Sequence, residues 1–227
     1  MIGLSLGCAC PIASRNSVEG FVKKRKLLLV GSTGVIGAGL KAAFVSSYEL
    51  ITGGIDHEDI YMDLSSVDSI KSALKEIGTI DALVCTAGQA NFRPLASIDA
   101  AGIDKSVYSL GLQNKLLGQV NLALAARAYT KTDSVIVLTS GTTNRTPILG
   151  GSSLGMVNGA LDAWVKAAAT ELPNGPRINC VSPSLVEGTP MQFVRAFPGF
   201  AVVPMHHVVL AYIRCLESGI NGETVVV

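Results

Sequence analysis

Lys26-Leu-Leu-Leu-Val-Gly-Ser-Thr-Gly-Val-Ile-Gly37 decides how the rest of the chain is read. Leu27 to Val30 is an unbroken apolar run, the pattern of a parallel strand covered on both faces. Gly31, Gly34 and Gly37 follow at Gly-x-x-Gly-x-x-Gly spacing, and Val35 opens a helical pattern that runs to Ser46. A strand, a glycine turn and a helix start, in that order, form the context in which such glycines bind a dinucleotide. The missing side chains let the backbone approach a pyrophosphate, and the free N–H groups of the helix start stabilise its charge. Gly31, Ser32, Thr33, Gly34, Val35, Ile36 and Gly37 are therefore candidate cofactor residues.

Downstream, strands and helices alternate. Strands are expected at Glu49–Thr52 (closed by Gly53-Gly54), Ile60–Met62, Asp81–Cys85, Ser134–Thr139, Arg177–Val181 and Glu223–Val227. Helices are expected at Ser66–Ile77, about Asp104–Thr130, about Ser153–Leu172 and His206–Ser218, with Ser66 or Ser65 as N-cap of the first. Alternation of this kind implies right-handed βαβ units. The expected fold is α/β: a single Rossmann-type, doubly wound parallel sheet of about seven strands with helices on both faces, spanning residues 26–227 as one domain. Residues 1–25 read as a poorly ordered leader extension. Ile2 to Cys10 is apolar, but no positive residue precedes it and no clean cleavage site follows.

Bulk properties narrow the function. Hydrophobic residues make up 48% and charged residues 15% of the 227 positions, which favours a sizeable core over disorder. A net charge of +1 without a basic stripe argues against nucleic acid or a charged membrane surface as partner. No apolar run reaches the ~18 residues of a membrane span. Five scattered cysteines suit a reducing cytoplasm, and Cys8-x-Cys10, without further ligands nearby, does not make a metal site. His206-His207 lacks acidic or cysteine partners and reads as cap and surface.

The cofactor's second signal is an acidic residue near the end of the second strand, which holds the ribose 2′-hydroxyl of NAD. That strand ends in Gly53-Gly54. Asp56 lies later and serves only if the loop folds back. Lys41, Ser32 and Thr33 are candidate partners for a 2′-phosphate, although no arginine follows the strand. The expectation is NADP in preference to NAD.

Seen together, the motifs resemble the short-chain dehydrogenase/reductase family from Lys26 to Val227. Asp63-Leu64 resembles its adenine pocket. Thr86-Ala87-Gly88 resembles the tail of its Asn-Asn-Ala-Gly sequence, with Cys85 and Thr86 at the asparagine positions. Leu138-Thr139-Ser140 resembles the strand end that carries the catalytic serine. Arg177-Ile-Asn-Cys-Val-Ser-Pro183 is similar to the approach to its Pro-Gly, with Ser184 in place of the glycine. Thr189 matches a threonine that contacts the nicotinamide amide, and Gly222-Glu-Thr-Val-Val resembles the closing strand.

The resemblance also implies a tyrosine and, four residues later, a lysine that lowers its pKa. Aligning Asn158-Gly-Ala-Leu161 with the family's Lys-Ala-Ala-Leu puts Leu154 and Asn158 at those positions, and no Tyr-x-x-x-Lys occurs elsewhere. The family's helix asparagine is Lys115 here, beside Asn114. Gly111-Leu-Gln-Asn-Lys-Leu-Leu-Gly-Gln-Val-Asn-Leu122 and Val157-Asn-Gly-Ala-Leu161 are similar to a short, divergent subgroup that shares this departure. Ser140, Lys115 and Asn158 remain as candidate catalytic residues: a carbonyl polariser, a replacement acid and a ribose ligand. Each also has a structural reading, as loop cap, as donor to backbone carbonyls and as core amide.

Two functions stay open. One is an NAD(P)-dependent oxidoreductase acting on a small carbonyl or alcohol with a non-standard active site. The other is a catalytically inactive NADP-binding sensor or partner subunit. The apolar stretch from Pro183 to Pro204, with Phe193, Phe197 and Phe200, reads as a substrate-pocket wall or a packed loop. Trp164, Leu161, Val165 and Ala168 form an apolar helical stripe. The resemblance implies assembly through the two long helices, whose small faces (Ala123, Ala126, Ala160 and Ala163) suit close packing, so a homodimer or homotetramer is expected.

Overall fold

In the computed structural model the described residues are 23–56 and 58–227. The expected leader, apart from Lys23 to Arg25, lies outside them, with Cys8 and Cys10. The strands are β1 (Lys26–Val30), β2 (Glu49–Gly54), β3 (Ile60–Tyr61), β4 (Ile80–Cys85), β5 (Thr130–Thr139), β6 (Arg177–Ser182) and β7 (Thr224–Val226). They form one parallel sheet in the order β3-β2-β1-β4-β5-β6-β7. The α-helices are α1 (Val35–Phe44), α2 (Val67–Ile77), α3 (Gly118–Ala126), α4 (Ser152–Glu171), a short α5 (Met191–Val194) and α6 (Met205–Glu217). The order reverses between β1 and β4, so the crevice where ligands bind in open α/β sheets opens at the carboxyl ends of those two strands.

The continuous apolar strands are explained by a core on each face. Leu28 and Val30 of β1, Leu83 and Cys85 of β4, Ile136 and Leu138 of β5 and Ile178 and Cys180 of β6 point to the core under α2, α3 and α4. Leu27, Leu29, Ala82, Val84, Val135, Val137 and Val181 alternate with them, into the core under α1 and α6. Burying each leucine contributes about 2 kcal/mol, and the period-2 alternation fixes the register. Ser66 caps α2 as expected, its hydroxyl accepting from the Ser69 N–H at 3.2 Å.

Four expectations need correction. Gly53 and Gly54 do not close β2; they pair with Ile60 and Tyr61 inside the sheet. β5 starts at Thr130, because its pairing with β4 shifts register between Ile80 and Ala82. The long helix from Asp104 to Thr130 is instead a single 3₁₀ turn at Ile103–Lys105, a π-helical segment at Gly111–Leu117, α3, and a 3₁₀ turn at Arg127–Tyr129. Gly102, Gly111 and Gly118 weaken a continuous helix. They also allow close packing: a Cβ on Gly111 would lie 2.9 Å from Ser153 Oγ, and one on Gly118 2.9 Å from Leu64 Cβ. The small face expected on α3 also turns inward, since Ala123 and Ala126 lie buried in the core, leaving Leu117 and Leu124 exposed. No helix among the described residues is long and apolar enough to cross a membrane.

Candidate functional site

The glycine turn is built so tightly that glycine is required. Gly31 has φ of +88°, and a Cβ there would sit 2.8 Å from the Ala87 nitrogen. A Cβ on Gly37 would lie 2.0 Å from the Gly31 carbonyl oxygen. Thr86 at the end of β4 clamps the turn: its N–H donates to the Val30 carbonyl at 2.9 Å, and its hydroxyl donates to the Gly31 carbonyl at 3.0 Å. Helix α1 then begins at Val35 with no side-chain cap bond and no acidic residue in its first turn. Its positive end is therefore left for an anion, as a pyrophosphate requires. Thr33, Gly34 and Val35 are exposed, and Ser32 is buried.

The segment after β6 comes back over this turn. A Cβ on Gly188 would meet Val35 Cγ1 at 3.3 Å. Thr189 next to it donates its hydroxyl to the Val186 carbonyl at 2.6 Å. Ser184 donates its N–H to the Val227 carbonyl at 2.7 Å, and the Pro183 carbonyl accepts from the Thr142 N–H at 3.0 Å. Asp63 follows β3. Its Oδ1 accepts from the Ser65 hydroxyl and N–H at 2.7 and 2.8 Å, which holds its carboxyl below the usual carboxylate range. Leu64 is buried beneath Gly118, and Gly88, with φ of +144°, packs on the Lys115 side chain.

A carboxylate that the sequence reading did not anticipate sits beside the turn. Glu58 Oε1 accepts from the Ser32 N–H at 2.8 Å, and Oε2 from the Ser32 hydroxyl at 2.5 Å. The loop between β2 and β3 folds back, but Asp56 stays exposed and Glu58 makes the contact. Asp59 holds the loop in place. Its Oδ2 accepts from the N–H and the hydroxyl of Thr52, both at 2.9 Å, and these bonds lower its pKa. An acidic side chain about 20 residues beyond the last glycine was the available signal.

The candidate catalytic residues converge at the carboxyl end of β5, in an arrangement dominated by a second unanticipated carboxylate. Asp162, one turn beyond Asn158 on α4, accepts from Ser140 Oγ at 2.6 Å, from Asn144 Nδ2 at 2.7 Å and from Arg145 Nη2 at 2.8 Å. Arg145 also donates to Ser182 Oγ at 3.0 Å, joining this loop to β6. Lys115 donates its Nζ to the Ser140 carbonyl at 3.1 Å. Part of its stem is exposed, but its ammonium is enclosed, and desolvation pulls its pKa down to about 8. Lys115 and Ser140 thus meet through the serine's backbone, while the serine hydroxyl is turned to Asp162.

Asn158 is buried and donates Nδ2 to Thr143 Oγ1 at 2.8 Å. Gly141 passes close by, and a Cβ there would lie 2.9 Å from the same Nδ2. Among the described residues Asn158 Oδ1, Thr142 Oγ1 and Ser153 Oγ are buried without a hydrogen-bond partner. A buried acceptor or hydroxyl left unpaired costs about 1–3 kcal/mol. Leu154, on the first turn of α4, brings no proton to this edge.

Comparison with known proteins places the arrangement among relatives. Residues 45–211 match the family model described as enoyl-(acyl carrier protein) reductase. The crystal structure of the protein lin1944 from Listeria innocua is 33% identical, with a TM-score of 0.84, over 89% of this chain and 99% of that one. A small-chain dehydrogenase in complex with NADPH is 24% identical, with a TM-score of 0.73, over 90% of this chain and 97% of that one. A short-chain dehydrogenase/reductase (glucose/ribitol dehydrogenase) from Brucella melitensis is 24% identical, with a TM-score of 0.74, over 90% and 95% respectively. At that identity the last two share the fold. No curated protein matches the chain.

Proposed function

The chain belongs to the short-chain dehydrogenase/reductase family, and from that premise we propose that it is an NAD(P)-dependent oxidoreductase acting on a small carbonyl or alcohol without the family's tyrosine–lysine pair. The observation that carries this reading is the glycine turn closed on Thr86 and Ala87, with the start of α1 beside it free of a side-chain cap and of any acidic residue in its first turn. Bound NAD(P) would supply the hydride or accept it.

The chain's own residues divide the remaining work. Gly31 to Gly37 and the start of α1 hold the pyrophosphate, and Asp63 and Leu64 line the adenine side. Asn158, taken as the residue at the family's lysine position, sits on the ribose side and holds the Thr142–Asn144 turn through Thr143 Oγ1. Lys115 is the ionisable group at this edge that exchanges its proton near neutrality, because burial favours the neutral amine. We assign it the role of acid. Ser140 acts as a positioning residue that fixes Asp162 and the β5–α4 loop.

One observation favours a second reading. With Leu154 at the tyrosine position and the Ser140 hydroxyl committed to Asp162, the site suits a protein that binds the dinucleotide and turns nothing over. Calorimetric titration with NADH and NADPH, followed by a panel of small aldehydes, ketones and alcohols, separates the two. Binding with turnover supports the oxidoreductase; binding without turnover supports the sensor or partner subunit. We also propose a homodimer or homotetramer joined through α3 and α4, where Leu124 and Met156, with Leu117 just before α3, are exposed. A monomer by light scattering at micromolar concentration contradicts it.

A further inference from the structure

We infer that Gln119 is a positioning residue for Lys115, an inference that rests on the assignment of Lys115 as the acid. Its side-chain amide takes both backbone groups of Thr139. That leaves the Lys115 ammonium the Ser140 carbonyl as its one hydrogen-bond acceptor among the described residues. Gln119 lies fully buried in the first turn of α3, among neighbours that serve the apolar core. A primary amide is costly in such a place unless it is paired, so its partners are informative.

The pairing closes a gap in the sheet. β4 keeps pace with β5 only as far as Val84 and Val137. Beyond that point β4 stays with β1, the Thr86 N–H donating to the Val30 carbonyl. On the other side of β5, the Ser140 N–H donates to the Val181 carbonyl of β6 at 2.9 Å. The N–H and carbonyl of Thr139 are thus left without a strand. Gln119 Oε1 accepts from that N–H at 2.9 Å, and Nε2 donates to that carbonyl at 3.0 Å. One side-chain amide stands in for a peptide group of the missing strand.

Lys115 lies four residues earlier, in the π-helical segment. Its Nζ donates to the next carbonyl, that of Ser140, at 3.1 Å. The two side chains therefore divide two consecutive carbonyls at the mouth of β5. An ammonium has three donors, and each acceptor it gains favours the charged form. Gln119 withholds the adjoining acceptor, the Thr139 carbonyl. The other groups that act on Lys115 do not replace it. Cys85 of β4 and Cys180 of β6 are each pushed up to about 12 by burial, so both stay neutral while Lys115 titrates. Asp162 of α4 is shared among Ser140, Asn144 and Arg145. Desolvation remains the largest influence and holds the lysine at about 8.

NMR of the full chain with isotope-labelled lysine tests this by following the Lys115 side chain across about pH 6 to 10, with Lys115→Met to identify its signal. Gln119→Met keeps the length of the side chain and removes the amide. It frees the Thr139 carbonyl for the ammonium, so the pH at which Lys115 loses its proton should rise by at least about 0.5. The decline of kcat at high pH should move with it, while KM stays within about twofold. A folded Gln119→Met variant whose Lys115 titrates where the wild type does overturns the inference and leaves Gln119 a structural brace alone. If that variant does not fold, the wild type decides. Its Gln119 side-chain amide signals should shift with the Lys115 midpoint, because the two residues bond consecutive carbonyls, and signals that stay flat through that titration overturn the inference. A raised Lys115 midpoint in Gln119→Met without turnover in the wild type overturns the acid assignment and leaves the hold of Gln119 on Lys115 standing.

Discussion

Ser140, directly after β5, and Asp162 on α4 are joined directly, the hydroxyl of the buried serine donating to Asp162 Oδ1 at 2.6 Å. The bond ties the mouth of β5 to the helix that carries Asn158. It also turns the hydroxyl into the protein. Ser140→Ala should therefore cost about 1–2 kcal/mol of stability in urea unfolding. Dinucleotide affinity should stay within about twofold, as for an alteration that removes no ligand contact. Asp162→Ala removes the acceptor of three donors and should cost more, about 3 kcal/mol, moderated by the partial exposure of Arg145. A Ser140→Ala variant of unchanged stability that has lost turnover would make Ser140 a catalytic residue instead.

Gly37→Ala is the sharpest steric test of the turn. The added methyl would lie 2.0 Å from the Gly31 carbonyl oxygen and 2.8 Å from Ser32 Cα. Both obstacles are backbone, so relief requires the turn to open. We expect a loss of about 3 kcal/mol in stability and at least about a tenfold loss of NADH affinity. An unaltered affinity shows that the pyrophosphate does not rest on this turn.

Lys115 makes stability depend on pH in a definite direction. Burial lowers its pKa from the ordinary 10.5 to about 8. Between those values the unfolded chain holds the proton and the folded chain has released it, so stability rises with pH across this window. Below pH 8 both states are protonated and the desolvation cost is fully present. Lys115→Met should thus be more stable than wild type at pH 7 by about 1–3 kcal/mol, and the difference should shrink as pH rises from 8 towards 10. A gap independent of pH contradicts an enclosed ammonium.

The fold was readable because its signals are local and repeat. Apolar runs such as Leu27 to Val30 serve two cores at once, and the cap at Ser66 and the glycines after β1 are short-range features. The helix expected from Asp104 to Thr130 failed because Gly111 and Gly118 are present for close packing against Ser153 and Leu64. Those contacts come from distant segments and leave no periodicity in the chain. The site was half legible for the same reason. The glycine turn follows from spacing, whereas Glu58 reaches Ser32 only because Asp59 bonds to Thr52, and Asp162 matters only because Ser140, Asn144 and Arg145 all turn to it. Charged residues scattered in sequence become a network when the sheet edge brings them together.

The most direct test of function is the rate of NADH and NADPH oxidation by the purified chain over a panel of small aldehydes and ketones, followed as a function of pH with Lys115→Met alongside. With Lys115 as the acid, we expect saturable turnover that declines as pH rises through about 8 and is absent in Lys115→Met although the dinucleotide still binds. Oxidation no faster than the protein-free rate with either dinucleotide at every pH would contradict the oxidoreductase reading and leave a dinucleotide-binding protein without chemistry.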